Sequence, residues 1–209
     1  MKRWCVGLFC AIVLAVVGGC RRSPTAPTDS GAPARVVRVA PAKLLTGELG
    51  RLSPHLDLTA TGCLRLDAPD EDLFFGFEPE LWEMGKPRTL GSSKSRVRGP
   101  SEVSFSIREA HDSKGGRVYR LVTAVATPSG QGASHSYTAA VPEVSDMGQM
   151  SRAVDLAEPR ELAEGEVVPV WAFVVRTDGR MDGEPLEEAV KKARWALVVK
   201  ARWERPENR

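Results

Sequence analysis

Residues 103–108 read VSFSIR, and the order of those six residues decides what kind of protein this is. Val103, Phe105 and Ile107 are apolar, whereas Ser104, Ser106 and Arg108 are polar. A period of two puts the apolar three on one face of an extended strand, and a helical period would scatter them around the axis. The stretch therefore predicts a strand with one buried face, which needs a second sheet to bury it against.

The same grammar spreads outward. Arg117 to Thr127 and Ser134 to Val141 are β-prone runs joined through PSGQGA, which suggests a hairpin, and DSKGG makes a turn before the first of them. His55 to Thr61 alternates in the same way, Leu73 to Phe77 is a compact apolar run, and Val167 to Arg176 is apolar enough to be buried on both faces. Trp195, Leu197, Val199, Ala201 and Trp203 mark a last strand, with Lys200 and Arg202 facing outward. One segment reads as helix. Asp182-Gly183-Glu184-Pro185 is a start signal, Leu186, Ala189, Val190 and Ala193 follow at helical spacing, and Glu187, Glu188 and then Lys191, Lys192, Arg194 suit the helix dipole. About seven to nine short strands with turn signals between them predict a single, mainly β, antiparallel sandwich-like domain with one short C-terminal helix near residues 185–194.

Composition sets the limits. The chain has 209 residues, 42% hydrophobic and 27% charged, with a net charge of +2. That is enough for one core, and no large field favours nucleic acid. Cys5, Cys10 and Cys20 fall in the first twenty residues, so the folded part holds Cys63 alone. A lone thiol makes no intramolecular disulfide and supplies no metal-ligand spacing; it reads as a small buried residue, or, if exposed, as a site of intermolecular disulfide formation.

The chain's first residues have the three parts of an export signal. Met1-Lys2-Arg3 is positive, Trp4 to Val17 is apolar or small, and Gly18-Gly19 supplies the small residues before a cleavage site. An apolar run of roughly 14 to 16 residues reaches only about 21 to 24 Å as a helix, short of a hydrocarbon core of about 30 Å. Positive charge on both flanks gives no strong orientation for a stable span. Val17-Gly18-Gly19-Cys20, in this setting, resembles the lipobox of bacterial lipoproteins. The resemblance implies cleavage between Gly19 and Cys20, a diacylglyceryl group on the Cys20 sulfur and, often, acylation of the new amine. Two or three acyl chains anchor durably where a single chain does not. Arg21 directly after the cysteine, by the family's sorting pattern, points to the outer membrane, facing the periplasm or the cell surface. An ordinary cleaved signal and an uncleaved anchor are the other readings of the same residues. Residues 1–19 are thus expected to be a signal peptide, and residues 20–34 the lipidated cysteine and a tether. Ser23 to Ala34, SPTAPTDSGAPA, holds little that could pack into a core. Residues 35–203 are expected to be the folded domain and 204–209 a frayed tail.

Catalytic signals are sparse. His55, His111 and His135 are the only histidines, and there is no GxSxG turn. His135 lies between Ser134 and Ser136, which a strand turns to the opposite face. Asp67, Asp70 and Asp72 are weak calcium candidates, in a run that lacks the DxDxDG pattern and is stiffened by Pro69. Lys86, Arg88, Lys94, Arg96 and Arg98 could meet anionic lipid or polysaccharide; with no aromatic among the residues from Arg88 to Arg98, nucleic acid is not expected. Phe74, Phe75, Phe77 and Trp82 read first as core, with Phe77 and Trp82 as candidate binding aromatics, and Gly76 marks a bulge or a close backbone approach. No cofactor is expected. The sequence thus points to a lipid-anchored, exported envelope protein that binds a protein or polysaccharide, or serves a structural role, without catalysis. The alternative is an exported hydrolase or carbohydrate-acting enzyme built on scattered Asp and Glu residues.

Overall fold

The computed structural model describes residues 35–44, 56–127, 132–140, 150–177 and 183–206. The expected signal, Gly19, Cys20 and tether lie outside the described residues, as do His55, Asp182, part of the PSGQGA turn and residues 207–209. Among the described residues the chain forms β1 (Val37–Ala42), β2 (Ala60–Asp67), β3 (Leu73–Glu83), β4 (Lys86–Thr89), β5 (Ser93–Val97), β6 (Ser101–His111), β7 (Arg117–Ala126), β8 (Gly132–Ala140), β9 (Met150–Asp155), β10 (Arg160–Leu162), β11 (Val168–Arg176), α1 (Leu186–Lys192) and β12 (Trp195–Glu204). Two antiparallel sheets result. The first runs β10-β1-β2-β6-β7-β8; the second runs β4-β3-β12-β11-β9, with β5 also on β3. No helix among the described residues is long and apolar enough to cross a membrane.

β6, which contains residues 103–108, occupies the middle of the first sheet. Val103, Phe105 and Ile107 are fully buried, as expected of the alternating face. Twelve strands exceed the seven to nine expected, because β4 and β5 are two short pieces along one edge of β3, and β1, β9 and β10 are only 3 to 6 residues long. β2 begins at Ala60, later than the alternation from His55 suggests, since Asp57 turns the backbone with a φ of 48°. β12 runs one residue past Trp203, and Arg205 is held by Glu164. Between β3 and β4, Met84 and Gly85 both take positive φ, 50° and 77°, as a two-residue hairpin turn requires when its twist must match that of the strands.

Aromatic rings fasten the two sheets. Phe105 of the first sheet meets Phe77 edge-on at 5.8 Å and stacks on Trp171 at 5.5 Å, both from the second. Tyr119 contacts Phe173 and Trp195 at 5.5 and 5.6 Å. Gly62 makes this closure possible. A Cβ there would lie 2.2 Å from Trp171 Nε1, so the indole rests where any other side chain would stand. β11 is buried on both faces, as its composition suggests, because α1 lays Leu186, Ala189 and Val190 against the second sheet's outer side. Glu184, just before the helix, binds both Lys192 and the buried Arg176 at 2.7 Å. The Lys192 hydrogen bond and the Arg176 charge hold its carboxyl below the usual range.

Successive antiparallel strands gather the turns at two ends of the sandwich. Arg35 pairs with Glu71 of the β2–β3 loop, so the described chain enters at the end that also carries the β5–β6 turn. The Met84-Gly85 turn and the Asp112–Gly116 loop lie at the opposite end.

Candidate functional site

The sequence candidates are distributed rather than gathered. Asp67 closes β2 in register with Arg38, while Asp70 and Asp72 pair with Arg98 and Arg96, and Glu71 with Arg35. The loop carboxylates Asp70, Glu71 and Asp72 are therefore each answered by a guanidinium group, and the Asp72 carboxyl is held below its usual range by the Arg96 hydrogen bond. Among the described residues no three His, Cys, Asp or Glu side chains group as metal ligands. Phe77 is 0% exposed and lies between Phe75 and Phe105, so it offers no surface to a ligand. Trp82 sits half-buried on the second sheet's outer face, where its indole N–H donates to Glu80 at 2.9 Å. Gly76 is a close approach rather than a bulge: its strand register is unbroken, and a Cβ would come within 3.2 Å of the Ser93 carbonyl. Lys200 and Arg202 do face outward, against Glu80 and Glu78. Cys63 is 3% exposed, and burial pushes its thiol up, away from the reactive thiolate.

His135 has different company from its sequence neighbours. It stands opposite Thr123 on the inner face, and the next inward residue of β8 is Tyr137, which packs against Gly91 between β4 and β5. Ser93 and Ser95 of β5 share the inner face with Phe77 and Phe75. Thr123 Oγ1, His135 Nε2, Tyr137 OH and the hydroxyls of Ser93 and Ser95 are buried without hydrogen-bond partners. These groups lie on the inner faces of β5, β7 and β8. The sequence singled out His135 but not these hydroxyls, of which Tyr137 shares its strand and the others lie on β5 and β7.

The open groove lies elsewhere, at the end where the chain enters. It has a volume of about 260 Å³ and is lined by Arg65, Pro100, Ser101, Glu102, Ala126 and Thr127. Its origin is a row across the outer face of the first sheet: Arg65 of β2 is in register with Glu102 of β6, Glu102 with Ala126 of β7, and Ala126 with Gly132 of β8. Two long charged residues followed by two of the smallest leave a recess beside the charges. Arg65 and Glu102 are direct cross-strand neighbours of opposite sign, an arrangement that ordinarily forms an ion pair. Among the described residues neither side chain takes part in a salt bridge or hydrogen bond, while Arg35, Arg96 and Arg98 at the same end are all paired. Both charges are felt by buried Cys63, Glu102 raising its pKa and Arg65 lowering it. Ser101 is 3% exposed, in phase with inward-facing Val103, and its hydroxyl donates to the Gly99 carbonyl at 3.3 Å. This set can hold charged and hydrogen-bonding groups; it contains one carboxylate and no histidine.

No family model, curated protein or solved structure matches the chain. Its functional reading therefore rests on its own residues.

Proposed function

We propose that the chain is an exported, lipid-anchored envelope protein whose β-sandwich is a non-catalytic binding module. Cys20 is the residue that carries the lipid, with cleavage after Gly19, and the membrane partner is reached through that anchor. Arg21 directs the anchored protein to the outer membrane. A protein or polysaccharide of the envelope is the macromolecular surroundings in which the module works. The observation that carries the binding reading is the groove in which Arg65 and Glu102 stand unpaired. An unpaired charge pair directly across two strands forgoes its own cross-strand attraction, and a bound group of opposite charge regains it. A glycoside hydrolase would call for two carboxylates facing each other across a cleft, and Glu102 is the one acid that lines this groove.

Metabolic labelling with a palmitate analogue tests the anchor. The wild-type chain is expected to take up label and fractionate with membranes, and Cys20→Ala to remain unlabelled. An unlabelled wild-type chain would overturn the anchored reading.

A further inference from the structure

We infer that the groove between β2, β6 and β7 is a site for a small zwitterion, such as a free amino acid or a short peptide with both termini charged. The inference deepens the binding reading above and rests on it. Arg65 supplies a guanidinium for a carboxylate, and Glu102 supplies a carboxylate for an ammonium group. Because the two residues are in direct cross-strand register, the positive and negative poles of the site are adjacent, as are the poles of an amino acid. A volume of about 260 Å³ lies at the small end of ligand pockets and accommodates a molecule of amino-acid or dipeptide size. Pro100 and Ala126 give a short apolar wall. An anion alone would leave Glu102 unanswered, and a cation alone would leave Arg65 unanswered; each pole would also repel a ligand of its own sign. Selectivity for ligands that carry both charges follows from that double penalty.

The test uses the full chain, purified in detergent, and four probes: glycylglycine, L-alanine, acetate and ethylammonium. Titration followed by amide chemical shifts is expected to show glycylglycine and L-alanine binding at about millimolar Kd, perturbing residues 65, 100–102 and 126–127. Acetate and ethylammonium are expected to bind at least about tenfold more weakly, and Arg65→Gln and Glu102→Gln each to weaken the zwitterions by at least about tenfold. Both side chains are solvent-exposed, and an unchanged Tm in the variants shows that the fold is kept. Acetate binding as tightly as glycylglycine, with only Arg65→Gln affecting it, would overturn the zwitterion site while leaving a binding module in place. Zwitterion binding indifferent to both substitutions would place any site elsewhere and overturn the inference. No shift with any of the four probes would overturn both the zwitterion site and the groove as the basis of the binding reading, and lipid labelling would still judge the anchor separately.

Discussion

Gly62 shows how much of this architecture depends on single residues. Its missing side chain is the space that Trp171 fills, with Asp155 Oδ1 also 3.0 Å from where a Cβ would stand. Gly62→Ala forces the indole out of its stack on Phe105, and overpacking of this kind costs about 1–3 kcal/mol, measurable as a lower urea midpoint at unchanged m. A variant as stable as the parent would show that the ring has somewhere else to go. Asp155 itself is a liability. Burial beside this contact pushes its carboxyl above the ordinary value of 3.8, so the folded state binds the proton more tightly than the unfolded chain does. Its ionisation therefore works against folding: its favourable contribution is present below the ordinary pKa and is lost as pH rises through the higher folded value. Asp155→Asn is expected to stabilise the domain near neutral pH, by less than about 1 kcal/mol because the residue keeps contact with solvent, and to have no effect near pH 3. Chemical denaturation at the two pH values checks it; stabilisation that is equal at both would point to packing instead of charge.

Among the elements, β8 stands apart. Its pairing partner is β7, its sequence GASHSYTAA has no Lys, Arg, Asp, Glu or Pro, and only Ala139 is fully buried. The β4–β5 edge, by contrast, carries Lys86, Pro87, Arg88, Lys94 and Arg96, charges and a proline that discourage further strand pairing. On its inner side His135 Nε2 and Tyr137 OH are buried without hydrogen-bond partners among the described residues. Little apolar burial and unpartnered polar groups make β8 the least stable of the long strands, so its amides should exchange with deuterium well before those of β6 and β12. Protection of β8 equal to that of β6 would contradict this. Why some elements were readable follows from the same physics. β6, β11 and β12 bury whole faces, so their apolar residues had to recur at strand spacing, and α1 had to place Leu186, Ala189 and Val190 on one side. β4 and β5 bury little beyond Ser95 and Val97, and the turn from β3 into β4 is Met-Gly rather than Asn-Gly, so neither hydrophobic period nor turn chemistry announced them.

For the whole molecule, the sandwich was legible and the groove was not. Arg65, Glu102 and Ala126 lie on three strands, and only their register brings them into one row; a one-residue slip of β6 would turn Glu102 to the core. Phe77 was a candidate from sequence because aromatics serve cores and binding platforms alike, and the fold assigned it to the core. The anchor is the reverse case: VGGC is a local pattern, readable without any fold, and it carries the proposal of where the protein resides. Arg35, pinned to Glu71, places the first described residues at the groove end of the sandwich. The most direct measurement of that account is mass spectrometry of the N-terminal peptide from the membrane-extracted chain. The account predicts a peptide that begins at Cys20 and carries a diacylglyceryl group on its sulfur. A peptide that begins at Met1, or one that contains an unmodified Cys20, would contradict it.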